Sequence, residues 1–101
     1  MVKHVILWQL KDAVAGAERE KVLRDMKQNL EALVGKVPGL LRLEIVTEPL
    51  TSSNADVMLD SDLESEAALA GYQSHPDHVA VANTYVRPFT EVRLCMDYEV
   101  K

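Results

Sequence analysis

The fold of this chain is decided by the stretch Val2-Lys-His-Val-Ile-Leu-Trp-Gln-Leu10, which is rich in Val, Ile, Leu and Trp. Alternate side chains of an extended chain point to opposite sides. The two sets are His4, Ile6 and Trp8 on one side and Val5 and Leu7 on the other. We therefore predict a strand that is mostly buried on both sides, so that both faces of its sheet need a cover.

A long helix is predicted after this strand. Glu18 and Glu20 suit the positive end of a helix that begins near Gly16. Apolar side chains then recur at helical spacing, at Val22, Met26, Leu30, Leu33 and Val37. Pro38-Gly39 is expected to end the helix, because proline cannot continue it and glycine favours its end.

Two strands are predicted next. In Leu40–Val46, alternation places Leu41, Leu43 and Ile45 together on the drier face. Alternation returns in Ala55–Leu63, which predicts the third strand of the chain.

A broken helix and a last strand complete the chain. The segment Ser65–Gln73 is rich in helix-forming residues, and Ser65 is expected to be the N-cap of this helix. His75-Pro76 interrupts the path, because a residue before proline is pushed out of the helical region. A second short helix is predicted from Pro76 to about Tyr85, and alternation over Val92–Tyr98 predicts the final strand. The order β-α-β-β-α-β indicates a ferredoxin-like α+β fold with a four-stranded antiparallel sheet, in one domain over residues 1–101.

The predicted sheet has one face without a cover. Two helices shield only one side of a four-stranded sheet, yet the first strand is apolar on both sides. Burying apolar surface yields about 25 cal/mol per Å², and a second copy of the same sheet could supply the missing cover. We predict a homodimer in which two sheets pack face to face.

Composition excludes several classes of partner. The chain has 101 residues, a net charge of −5 and only 5% aromatic residues. Nucleic acid requires a basic surface that displaces counterions, so no nucleic-acid partner is predicted, and no membrane partner for the same reason. The opening apolar segment is too short to span a bilayer. A single cysteine cannot form an internal disulfide, which favours a cytoplasmic location.

Three motifs, together with this element order, resemble a known family. They are Val2-Lys3-His4, Pro38-Gly39 and the run Glu66-Ala-Ala-Leu-Ala-Gly-Tyr72-Gln-Ser-His75-Pro76-Asp-His78-Val-Ala-Val. Over essentially its whole length the chain resembles the stress-responsive A/B barrel (Dabb) family. The resemblance implies a dimeric α+β barrel, often without an assigned activity.

One plant branch of that family closes a linear polyketide by aldol condensation, using a histidine as general base and a tyrosine that polarises a carbonyl. Matched by motif position, the resemblance assigns the base to His78 and the polarising group to Tyr72, with His4 facing the same pocket. This chain departs from that branch at Thr90 and Arg93, where bulky apolar groups are expected.

The Arg93 guanidinium would be costly in an apolar pocket unless a carboxylate paired with it. We expect Asp97 or Glu44 to provide that carboxylate.

Other chemistries are less well supported by the spacing. His4, His75 and His78 could form a zinc site, but His75 precedes a proline and is expected to point elsewhere, so no metal is predicted. The acidic run Asp60–Glu66 lacks the turn glycine of a calcium loop. No phosphate-binding glycine loop is present, so no nucleotide cofactor is predicted. Cys95 is interpreted as a core or interface thiol.

Two functional hypotheses remain open. In the first, a cofactor-independent lyase or isomerase related to polyketide cyclases binds a polar, carbonyl-bearing small molecule. Its catalytic residues would be His78, Tyr72 and His4, with Ile6, Trp8 and His75 binding substrate. In the second, the chain is a non-catalytic stability or self-association module, in which Tyr72 packs under the helix while His75 and His78 bond to nearby backbone carbonyls.

Overall fold

The computed structural model describes residues 1–101 as four strands and two helical segments, the second of them broken. The elements are β1 Val2–Leu10, α1 Gly16–Glu31, β2 Leu40–Val46, β3 Val57–Leu63, α2 Glu66–Ser74, α3 Pro76–Val81 and β4 Thr90–Glu99. A π-helical turn, Ala82–Val86, continues α3. The antiparallel sheet has the order β2-β3-β1-β4. This is the predicted ferredoxin-like α+β fold, in which the first and last strands of the chain are neighbours.

The core lies between the sheet and the helices. Alternate side chains of β1 point into it, and each is at most 5% exposed: Val2, His4, Ile6, Trp8 and Leu10. Met26 and Leu30 of α1 and Leu69 of α2 belong to the same buried cluster. His4 therefore lies on the helix-covered face, which period-two alternation could not decide.

The predicted end of α1 at Pro38-Gly39 is wrong, because the helix ends at Glu31. Gly35 has φ +90°, a left-handed conformation that cannot continue a right-handed helix. Leu33 and Val37 are nevertheless buried, and the Val37 amide donates to the Leu33 carbonyl at 3.1 Å. The turns that follow Glu31 bury apolar residues at the spacing of a helix, although the helix itself has ended.

The prediction that Leu41 shares the buried face of β2 is also wrong. Leu40 pairs with Leu63, and Arg42 pairs with the adjacent residue Asp62. Leu41 therefore has no partner on β3 and is the extra residue of a β-bulge. Leu40 is 5% exposed and Leu41 is 49% exposed. Leu43 and the rest of the strand follow the predicted alternation.

The broken helix is built as predicted. Ser65 caps α2, its hydroxyl accepting a hydrogen bond from the Ala68 amide at 3.1 Å. His75 is extended, with φ −63° and ψ 132°, and Pro76 begins α3. The neighbouring strand β3 starts at Val57, two residues later than predicted.

The second face of the sheet has no helix over it. Its apolar half consists of side chains from β1 and β4: Val5, Leu7, Val92, Leu94, Met96 and Tyr98. Its charged half is an ion-pair network of Lys3, Arg42, Asp60 and Asp62. We call these two halves together the open face. None of the helices combines the length and apolar character needed to cross a membrane.

Candidate functional site

A cavity of about 420 Å³ lies between the sheet and the broken helix. Its apolar lining is Ile6, Trp8, Leu30, Leu59, Ala82 and Val86, and its polar lining is His4, Gln73, His78, Arg87, Thr90 and Arg93. We call it the sheet–helix cavity. Its size and mixed lining are typical of small-molecule sites.

Four of the predicted site residues line this cavity, namely His4, Ile6, Trp8 and His78. Tyr72 does not line it and is completely buried. Its ring nevertheless contacts the site: the centroids of Tyr72 and His78 are 4.3 Å apart, and those of Tyr72 and His4 are 6.0 Å apart. The fold thus brings the three predicted catalytic side chains into one aromatic cluster.

The Tyr72 hydroxyl has no hydrogen-bond partner, although it is buried. A buried polar group without a partner costs about 1–3 kcal/mol. Burial also raises the pKa of this hydroxyl, an effect that the positive charge of Arg93 partly opposes. The group is therefore a protonated, unused donor at neutral pH.

His78 lies in the first turn of α3 and is half-buried. Its Nδ1 lies 3.2 Å from the backbone carbonyl of Gln73. Because a carbonyl only accepts, the contact favours the tautomer with the proton on Nδ1 and a lone pair on Nε2. Burial lowers the pKa of the ring, and the positive charges of His4, Arg87 and Arg93 lower it further, against the opposing hydrogen bond to Gln73. His78 is consequently a neutral potential base at pH 7.

His4 is held by β4. Its Nδ1 contacts the carboxylate of Asp97, the residue opposite it in the sheet. The thiol of Cys95 lies 3.7 Å from the same nitrogen and donates to Asp97 at 3.5 Å. These contacts fix the orientation of the ring that faces the cavity.

The donor atoms of His4, Cys95 and Asp97 lie within 4.8 Å of one another, close enough to be considered as metal ligands. They already bond to one another, so a cation would have to replace the His4–Asp97 contact. Cys95 was predicted to be a core or interface thiol; the core alternative is wrong, since the side chain is exposed in the single chain, and the interface alternative stays a prediction. Partial burial and the adjacent Asp97 raise the pKa of this thiol, which disfavours the reactive thiolate.

His75, predicted to bind substrate, is placed at the junction of α2 and α3. Its Nδ1 accepts a hydrogen bond from the Asp77 amide at 3.1 Å, which caps α3. It is not among the residues that line the cavity. This hydrogen bond gives His75 a structural role as the N-cap of the helix that begins at Pro76.

The prediction that Asp97 or Glu44 forms an ion pair with Arg93 is wrong. Asp97 contacts His4 instead, and Glu44 pairs with Arg42 at 3.3 Å. Arg93 makes no ion pair and is exposed, so water solvates the guanidinium without a carboxylate. Arg87, which the sequence reasoning missed, also lines the cavity. The only sequence signal for it was its place directly after the short helix.

A second pocket of about 370 Å³ lies beside the cavity and has the opposite charge. Its lining includes Glu66, Asp97 and Glu99. Gln73 lines both spaces. The contrast between an acidic pocket and a cavity with two arginines is not visible in the linear sequence.

Comparison with known proteins identifies the family. The sequence profile of the Stress responsive A/B Barrel Domain (Dabb) matches residues 2–100. A curated relative from Arabidopsis thaliana, a stress-response A/B barrel domain-containing protein, is 34% identical over 104 residues, covering 97% of this chain. The chain spans only 36% of the length of that relative.

Two solved structures illustrate the fold. A dimeric protein of unknown function with a ferredoxin-like fold from Bacteroides fragilis is 29% identical, with a TM-score of 0.91, over 98% of this chain and 95% of its own. A hydroxynitrile lyase from Passiflora edulis has a TM-score of 0.81 at 14% identity, over 99% of this chain and 93% of its own, and shares the fold alone. The profile match and the curated relative show that this chain belongs to the stress-responsive A/B barrel (Dabb) family.

Proposed function

We propose that the sheet–helix cavity binds a small carbonyl-bearing molecule and transfers a proton on it without a cofactor. The observation that carries this proposal is the buried, unpartnered hydroxyl of Tyr72 beside the neutral ring of His78. A donor without an acceptor and a base with a free lone pair are the two groups that enolisation requires.

In the proposed step, His78 Nε2 takes a proton from the carbon next to the carbonyl, and the C–H electron pair moves to form an enolate. The Tyr72 hydroxyl donates a hydrogen bond to the enolate oxygen. The imidazolium then returns the proton to carbon. Because Tyr72 is fully buried, this contact requires the packed ring of His78 to shift when the ligand enters. His4, held by Asp97, orients the cluster.

The test is exchange of the α-protons of cyclohexanone in deuterated buffer, followed by NMR. We expect the protein to accelerate exchange over buffer alone, and His78→Gln to abolish the acceleration. Removing a general base typically costs about 10²–10⁴-fold in rate. His75→Asn, which can retain the cap, is the matched control and should exchange normally. Absence of acceleration by the unaltered protein would refute the proposal.

Self-association is the second part of the proposal. We propose a homodimer in which the open faces of two copies pack together. Leu94 and Met96 are 64% and 68% exposed in the single chain, a large apolar area for a water-facing strand. The solved relative from Bacteroides fragilis is described as dimeric. Light scattering that shows only monomer at micromolar concentration would contradict it.

A non-catalytic role is the alternative. The open face supports it, because self-association through that face does not require the cavity. In that case the chain is a stability or self-association module, and His78→Ala lowers the melting temperature but changes no ligand binding. Cytoplasmic location and a single domain over residues 1–101 stay predictions from the sequence.

A further inference from the structure

The charge of the sheet–helix cavity is opposite to that of the chain. The sequence carries 16 acidic side chains against 11 Lys and Arg, for a net charge of −5. No Asp or Glu lines the cavity, whereas Arg87 and Arg93 both do. Two arginines and no acidic side chain therefore line a cavity of an acidic protein.

Neither guanidinium is neutralised by the protein. Arg93 lies on the helix-covered face of β4, directly opposite Trp8 in the sheet, and forms no ion pair. Asp97, which lies on the same face of β4, is engaged by His4. Arg87 donates to the side-chain oxygen of Asn83, a neutral acceptor, and so keeps its charge.

Both charges also act on the proposed base. The positive charges of Arg87 and Arg93 contribute to the lowered pKa of His78, so the guanidiniums and the ring share one electrostatic environment. The same cavity also offers an apolar surface formed by Ile6, Trp8 and Leu59.

We propose that the ligand of this cavity is a small oxo acid, whose carboxylate binds Arg93 and Arg87 while its short aliphatic portion packs on Trp8. The inference rests on the proposed function for the carbonyl and adds the carboxylate. A planar guanidinium matches a carboxylate with two parallel hydrogen bonds, which makes this the strongest common pairing for an anion.

The carboxylate would also assist the chemistry. A negative charge near His78 stabilises the imidazolium formed when the ring accepts a proton. The neighbouring pocket, lined by Glu66, Asp97 and Glu99, repels the same anion. Ligand is therefore expected in the sheet–helix cavity only.

Binding can be followed through Trp8, which is the single tryptophan of the chain and lines the cavity. The probes are hexanoate and its neutral isostere hexanamide, titrated against tryptophan fluorescence. A hydrogen bond to a charged group contributes about 1.5–3 kcal/mol, so we expect hexanoate to bind at least about tenfold more tightly. Arg93→Gln should abolish this preference, and Arg87→Gln should reduce it.

Arg24→Gln is the matched control, because Arg24 is exposed on α1 and its loss changes the net charge equally. This variant should keep the preference, and circular dichroism confirms that each variant is folded. Equal binding of the two probes, no binding of hexanoate in the millimolar range, or a preference that survives both cavity substitutions would overturn the inference. The cyclohexanone experiment needs no arginine, so exchange without a hexanoate preference sinks this inference alone. A hexanoate preference without exchange sinks only the proton transfer.

Discussion

The two faces of the sheet share the same strands but have opposite characters. On the helix-covered face, the side chains of β1 are at most 5% exposed, and they include His4 and Trp8 of the cavity. On the open face, Leu7 is 36% exposed and Met96 is 68% exposed. The helices lie on one side only and bury the β1 side chains of that side, whereas β4, at the edge of the sheet, is exposed along nearly its whole length.

This difference shows that alternate residues of a single strand serve two separate roles, one on each face of the sheet. The helix-covered face holds the aromatic cluster and the cavity, where burial alters protonation. The open face carries apolar groups and the ion-pair network, which suit contact with another sheet. A substitution on one face should therefore leave the task of the other face intact.

The largest effect is expected on the open face, from Met96→Asp. This side chain lies opposite Val5 in the proposed dimer surface. Burying an unpaired carboxylate there costs about 3 kcal/mol or more, which raises the dimer dissociation constant at least about 100-fold. Sedimentation velocity measures the change. Gln28→Asp on the exposed side of α1 is the control, and equal dissociation in both variants would place the interface elsewhere.

The next largest effect is expected on the helix-covered face, from Gly39→Ala. A Cβ at Gly39 would lie 2.6 Å from Cβ of Ala68 in α2, and Gly39 has φ +81°. Crowding and left-handed strain together should lower the free energy of unfolding by about 2–4 kcal/mol. Urea unfolding measures it. Gly35→Ala, with φ +90° and open space around it, separates the strain from the crowding.

A smaller, pH-dependent effect is expected from Arg42→Gln in the ion-pair network. Burial raises the pKa of Asp60 and Asp62, but hydrogen bonds from Arg42 and Lys3 outweigh it and hold each pKa below its ordinary value. Carboxyls with a lowered folded pKa stabilise the fold above their unfolded pKa, and this stability is lost as pH falls through the folded value.

The Arg42→Gln variant should therefore be less stable at pH 7 by up to about 1 kcal/mol, and the difference should shrink below about pH 4. Urea midpoints at several pH values measure it. Arg24→Gln should show no such trend. A difference for Arg42→Gln that stays constant down to acid pH would mean that its packing, not its charge, supports the open face.

The smallest effect concerns His78. Its lowered pKa means that the unfolded chain binds the proton more readily, so stability is lost as pH falls through about 6.5, the unfolded value. NMR titration of the ring should give a midpoint below that value, and His78→Gln should flatten this part of the stability profile. His75→Asn should leave the His78 midpoint unchanged. A midpoint above the unfolded value would contradict the electrostatics of the cavity.

Much of the fold could be predicted because the strands alternate clearly. The bounds of β1 and β2 were predicted correctly, and the break at His75-Pro76 follows from proline stereochemistry alone. Leu41 could not be predicted, because a bulge shifts the alternation by one residue and depends on the register with β3. The end of α1 was hidden because Leu33 and Val37 keep the helical spacing within turns.

The candidate site was predictable only in part. His4, Ile6, Trp8 and His78 line the cavity as expected, since strand alternation and the helix break determine their directions. The contact of His4 with Asp97 joins residues 93 positions apart, so it depends on the pairing of β1 with β4. Local patterns carry no information about such pairs.

The π-helical turn Ala82–Val86 determines the direction in which the side chain of the next residue, Arg87, points. In this turn the Arg87 amide donates to the Ala82 carbonyl, five residues back, at 2.9 Å. An ordinary α-helix advances about 100° per residue, so deleting one residue from the turn would rotate Arg87 by about that angle. A change of a single codon in length would thus turn one of the two cavity arginines away, while Arg93 stays in place on β4.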